Sequence, residues 1–78
     1  MHIVVADHKL VLVTDMEDVA WDTAKEMMED NEWVEAECEH AYCEELDEQV
    51  IIKNGTYKTL EGDVITLEEY NNAEHAMR

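Results

Sequence analysis

Fifteen Asp or Glu and a single Lys fall between positions 15 and 48, a net of −14. The other positions carry six acids against four bases, a net of −2, so the whole chain stands at −16. Any fold must therefore display one intensely anionic stretch on a nearly neutral remainder. Self-repulsion of this size opposes compaction. Halophilic composition, which favours Asp over Glu and Arg over Lys, does not describe the chain. Glu outnumbers Asp fourteen to seven, and Lys outnumbers Arg four to one.

The 78 residues make one small domain, 1–78, with a limited buried fraction. An apolar content of 46% separates the chain from disordered acidic tails, which lack residues to bury. Pro is absent and Gly occurs twice, which leaves no composition for a long linker. Two cysteines are too few for a disulfide scaffold. The N-terminal apolar run is split by Ala6-Asp7-His8-Lys9 and has no charged start, so no secretory signal is expected. No stretch has the length of a bilayer span. The expected location is the cytoplasm, with reduced thiols.

His2–Ala6 and Leu10–Thr14 are apolar, β-branched runs joined by the polar Asp7-His8-Lys9, which reads as a β-hairpin. Apolar residues stand at consecutive positions in both runs. Either both faces are covered within the chain, or a second copy covers one and the hairpin is a homodimer surface.

Thr14 with Glu17 has the spacing of a capping box and opens a helix. At ~100° per residue, Met16, Ala20, Ala24, Met27 and Met28 share an apolar face. Asp15, Asp18, Asp22, Glu26 and Glu29 form a continuous opposite stripe of about 21 Å, with Lys25 on its shoulder. Trp21 borders the apolar face and is expected in the core.

In 31–49, Val34, Cys38, Tyr42 and Leu46 recur every four residues and favour a second helix. The alternation of Val34–Glu39 and the position of Glu45 speak for a strand. On a helix Glu37, Glu44 and Glu48 align; on a strand Glu35, Glu37 and Glu39 do. Asn54-Gly55 is a type I′ hairpin signal that pairs Lys53 with Thr56, Ile52 with Tyr57 and Val50 with Thr59. Glu61-Gly62-Asp63 makes the next turn, followed by a short extended Val64-Ile65. Thr66 with Glu69 is a second capping box, opening a C-terminal helix with Leu67, Tyr70, Ala73 and Met77 on its apolar side. The expected fold is α+β, a small antiparallel sheet of two β-hairpins against two or three helices, in the order β-β-α-α-β-β-α.

Chemistry-bearing patterns are sparse. Cys38, His40 and Cys43 suggest zinc, but helical positions five apart point away from each other, so no metal or cofactor is expected. Asp15, Glu17, Asp18 and Asp22 lack calcium-loop spacing. The chain has no Ser, no phosphate-cradling loop and no supporting loop for a Cys43–His40 pair; no enzyme is expected. An anionic surface repels nucleic acid and anionic membranes and attracts basic proteins.

Two functions fit. The first is a mimic of DNA charge, an inhibitor that occupies the basic groove of a nucleic-acid-binding protein. One DNA strand carries a charge per ~3.4 Å of axis, and the acidic stripe comes close to that density. Its partner-binding residues would be Asp15, Asp18, Asp22, Glu26, Glu29, Glu37, Glu44 and Glu48. Phage and mobile-element proteins that block restriction, CRISPR or repair machinery share this profile, a parallel of profile and not of family. Such a protein acts in the host cytoplasm. The second is an acidic interaction module or adaptor subunit without DNA mimicry.

Overall fold

The computed structural model describes residues 1–29 and 38–78. Two adjacent strands, β1 (His2–Ala6) and β2 (Lys9–Thr14), form the centre of the molecule. Asp7 and His8 take positive φ values of 49° and 69° and close a two-residue turn between them. Then follow α1 (Glu17–Glu29), β3 (Ala41–Glu45), α2 (Glu48–Asn54), β4 (Thr56–Lys58), β5 (Val64–Thr66), α3 (Leu67–Asn72) and β6 (Glu74–Ala76). The class is α+β, with a mixed sheet and three helices.

The main sheet runs β3-β1-β2-β6. β1 is antiparallel to both β2 and β3, while β6 joins β2 in parallel. β4 and β5 form a separate two-stranded ribbon.

The consecutive apolar residues of β1 and β2 are explained by burial on both faces within the chain. Val4, Ala6 and Leu12 face α1, where they meet Ala20, Ala24 and Met27. Ile3, Val5, Leu10 and Val13 face the other layer, against Leu46, Ile51, Ile65 and Tyr70. Leu10 and Val13 share a face although they are three positions apart. Val4 pairs with Leu12 and Val5 with Leu10, so a bulge at Val11 shifts the alternation by one residue. With both faces and both edges of the hairpin used internally, the apolar surface that suggested a homodimer is already covered.

Several local expectations are corrected. Thr14 does not cap α1 as a capping box. It is buried at the end of β2, where its hydroxyl accepts from Met16 N–H at 3.1 Å and donates to the Ala76 carbonyl at 2.7 Å. The first helical bond runs from Ala20 N–H to Met16 O. Residues 41–45 form a strand where a helix was favoured, because β1 offers them a paired edge from Ala6↔Ala41 to His2↔Glu45. The expectation of a helix or strand over 31–37 lies outside the described residues.

Asn54-Gly55 is not a hairpin turn. Gly55, at φ 78°, terminates α2, and its N–H bonds Ile51 O at 2.9 Å. Asp47 caps the other end by accepting from Gln49 N–H. The pairs Lys53–Thr56, Ile52–Tyr57 and Val50–Thr59 therefore do not form. The ribbon instead pairs Tyr57 with Ile65, with Glu61-Gly62-Asp63 inside its loop. Thr66 does cap α3, through Glu69 N–H at 3.1 Å. That helix ends at Asn72, and the chain then extends into β6.

Candidate functional site

Helix α1 separates its residues sharply. Ala20, Ala24 and Met27 are buried against the sheet, which fixes the helix rotation. Asp18, Asp22 and Glu26 are all exposed, four residues apart, and span about 12 Å of axis. A second exposed row, Glu17, Trp21 and Lys25, runs beside them. Trp21 is 60% exposed, contrary to the core position expected for it. Its place between the two faces leaves the indole beyond the small Ala20 and Ala24 that contact the sheet.

The rest of the expected stripe is distributed differently. Asp15 precedes the helix, and its carboxylate accepts from Arg78 N–H at 3.1 and 3.3 Å, which ties down the C-terminus. Glu29 ends α1, but its side chain, like all of Glu37, lies outside the described residues. Glu44 is half-buried on β3 and accepts from Leu60 N–H at 3.0 Å and from the Tyr57 hydroxyl at 3.3 Å. Glu48 opens α2 and accepts from the Tyr70 hydroxyl at 3.4 Å. Glu44 and Glu48 thus serve internal contacts and do not align with one another on a helix.

Among the described residues, the ion pairs within 4.0 Å both use histidine: His8 with Asp63 at 2.6 Å and His40 with Glu61 at 4.0 Å. No Lys or Arg neutralises the α1 acids there.

A polar cluster invisible to local sequence patterns lies at the opposite end of β3. The Tyr42 hydroxyl donates to Asp63 Oδ2, and Asp63 Oδ1 meets His8 Nδ1. Thr59 Oγ1 lies 2.8 Å from the Tyr42 hydroxyl and accepts from Asp63 N–H. The hydrogen bonds from Tyr42 and His8 hold the Asp63 carboxyl below the usual carboxylate range. Asp63 in turn raises His8, while burial and then Asp63 raise the Tyr42 hydroxyl. Asp7 anchors the approach to β3, its Oδ1 accepting from Glu39 and His40 N–H at 3.1 Å each. Thr59 and Asp63 are four positions apart, but Tyr42 and His8 reach them across 17 to 55 positions, so no sequence window contains the cluster.

Cys38 and Cys43 are free and half-buried, and burial raises both thiols above their ordinary value. An activated cysteine requires the opposite shift. Among the described residues, no three His, Cys, Asp or Glu side chains converge on a metal position, and no helix is long and apolar enough to cross a membrane. Compared with models of protein families, with curated proteins and with solved structures, the chain matches none.

Proposed function

We propose that the chain is a charge mimic of nucleic acid, a small inhibitor that presents α1 to the basic groove of a nucleic-acid-binding protein. One observation carries the reading. Asp18, Asp22 and Glu26 stand exposed in a row on a helix whose other face is anchored in the core, with no Lys or Arg within 4.0 Å among the described residues. Rigid, unneutralised acids in a row attract a basic groove and give fast, salt-sensitive association. The working row is Asp18, Asp22 and Glu26. An anti-defence role in a phage-infected or element-bearing cell is the biological setting this profile suggests.

The test is capture of the partner from host lysate followed by DNA competition. DNA is expected to displace the protein from its partner. A captured partner that still binds DNA with the protein attached overturns mimicry.

A second reading has its own support. Trp21, more than half exposed beside Asp22, gives α1 an apolar contact residue for which a pure copy of phosphate charge has no use. An acidic interaction module bound to one basic protein would use that indole as an anchor. Trp21→Ala separates the two: it leaves binding intact under mimicry and weakens it strongly under the module reading.

A further inference from the structure

Among the described residues, nothing pairs with the outer edge of β3. Leu46 N–H bonds Met1 O, and Asp7 N–H bonds His40 O. With the β1–β3 register, these bonds place Tyr42 and Glu44 in the hydrogen-bonded pairs, so the backbone groups of Ala41, Cys43 and Glu45 point away from β1. Tyr57 covers the Glu45 carbonyl, and Ala41 N–H reaches only the weak acceptor Met28 Sδ. The remaining outward groups have no partner among the described residues. Unpaired edges of this kind are templates for another strand.

This edge lies in a groove of about 560 Å³. On the α1 side its wall is Trp21, Asp22, Lys25 and Met28; on the other it is Glu61. Trp21 and Met28 are 60% and 47% exposed, which puts an apolar strip beside the open backbone groups. The acids Asp22 and Glu61 outweigh Lys25 in the lining, within a chain of net −16.

We propose that a basic, extended segment of the partner adds to β3 as a further, antiparallel strand of the sheet. Backbone hydrogen bonds supply the attachment, and alternate side chains supply the specificity. Residues opposite Ala41 and Cys43 share their face and point towards α1, where apolar side chains fit Trp21 and Met28. The intervening residues point to the side of Glu61 and are Lys or Arg. The inference rests on the reading that the partner is basic, in its form as a module anchored by Trp21, and it adds where and in what conformation the partner docks.

The probe is an eight-residue peptide of alternating lysine and valine, titrated into the isotopically labelled wild-type chain and followed by NMR. The Ala41, Cys43 and Glu45 amide signals are expected to shift, and their hydrogen exchange to slow. Two further peptides carry N-methyl groups on either the valine or the lysine amides. The valine amides are the ones facing β3, so their methylation is expected to weaken binding by about tenfold or more, while lysine methylation leaves it nearly unchanged. Equal binding by both methylated peptides means charge alone holds the ligand; it overturns strand addition and leaves the basic-partner reading standing. Equal binding by an alternating glutamate–valine peptide overturns both. No binding by the parent peptide overturns the proposal. So does protection of the three amides in the unliganded chain, whether sedimentation shows a monomer, whose own residues then fill the edge, or a dimer, whose second copy does.

Discussion

The Tyr42 hydroxyl donates to Asp63 Oδ2 at 2.5 Å, while His8 Nδ1 stands 2.6 Å from the other oxygen of the same carboxylate. One side chain thereby joins strand β3, the β4–β5 loop and the β1–β2 turn. The pair titrates in a definite direction. Asp63 is held below its ordinary 3.8, so its contribution is complete above that pH and is lost as acidification passes its folded value. His8 is raised above 6.5, so its contribution is complete below 6.5 and is lost as pH rises through its folded value. The pair is fully formed between about pH 3.8 and 6.5. The His8 ring protons followed by NMR should titrate with a midpoint above 6.5, and Asp63→Asn should return it towards 6.5. An unchanged midpoint in that variant would remove Asp63 as the cause.

Thr14 fastens the last strand. Its hydroxyl receives Met16 N–H and gives its proton to Ala76 O, and the residue is fully buried. Thr14→Val keeps the shape and leaves both partners unsatisfied, a loss of about 1–3 kcal/mol. Urea unfolding measures the loss. Amide exchange should quicken first at Glu74, His75 and Ala76, because β6 touches the sheet only along Leu12–Thr14. Uniform quickening along the chain would show that β6 does not open separately.

Gly55 closes α2 at φ 78°, and among the described residues no atom beyond its own and its chain neighbours' lies within 4 Å of where a Cβ would stand. A side chain there meets backbone strain alone. Gly55→Ala should cost about 1–2 kcal/mol, and Gly55→Asn less, since Asn enters the left-handed region more readily. Thermal unfolding of the pair decides. Equal losses would remove left-handed strain as the cause.

That same glycine explains why a helix end stands where a hairpin over 50–60 is expected from the sequence. A type I′ hairpin and a helix C-terminus both demand positive φ after Asn54, so Asn-Gly alone does not choose between them. The deciding signals stood further back: Asp47 as N-cap, Glu48 in the first turn and Lys53 in the last describe a complete short helix. The first hairpin, the Ala20, Ala24 and Met27 face of α1 and the Thr66 cap were legible because each is written in spacing over a few residues; Met28, expected on the same face, is 47% exposed. β3 was not. Tyr42 packs towards one layer and Cys43 towards the other, both half-buried, so no period of two survives in their composition. The candidate site was legible at Asp18, Asp22 and Glu26, which helical spacing alone places together. Asp15, Glu44 and Glu48 were misplaced because backbone and hydroxyl donors far along the chain claim their carboxylates.

This division among the carboxylates makes a prediction that needs no partner. Asp18, Asp22 and Glu26 repel one another across two i,i+4 steps, each unfavourable by about 0.2–0.5 kcal/mol. Replacing them by Asn, Asn and Gln should leave the fold intact and raise Tm slightly at low salt. Added NaCl should stabilise the wild-type chain, because screening shortens the reach of like charges to about 8 Å at physiological ionic strength. The triple variant should gain less from the same salt. Glu44→Ala should behave oppositely, lowering Tm at every salt concentration, since Leu60 N–H loses its acceptor and the Tyr57 hydroxyl keeps only the Glu45 carbonyl. Thermal melts of the three proteins over a salt series compare all of these at once. A triple variant that loses stability at low salt would show that its carboxylates hold the fold, and would leave α1 without free charge to offer a basic surface.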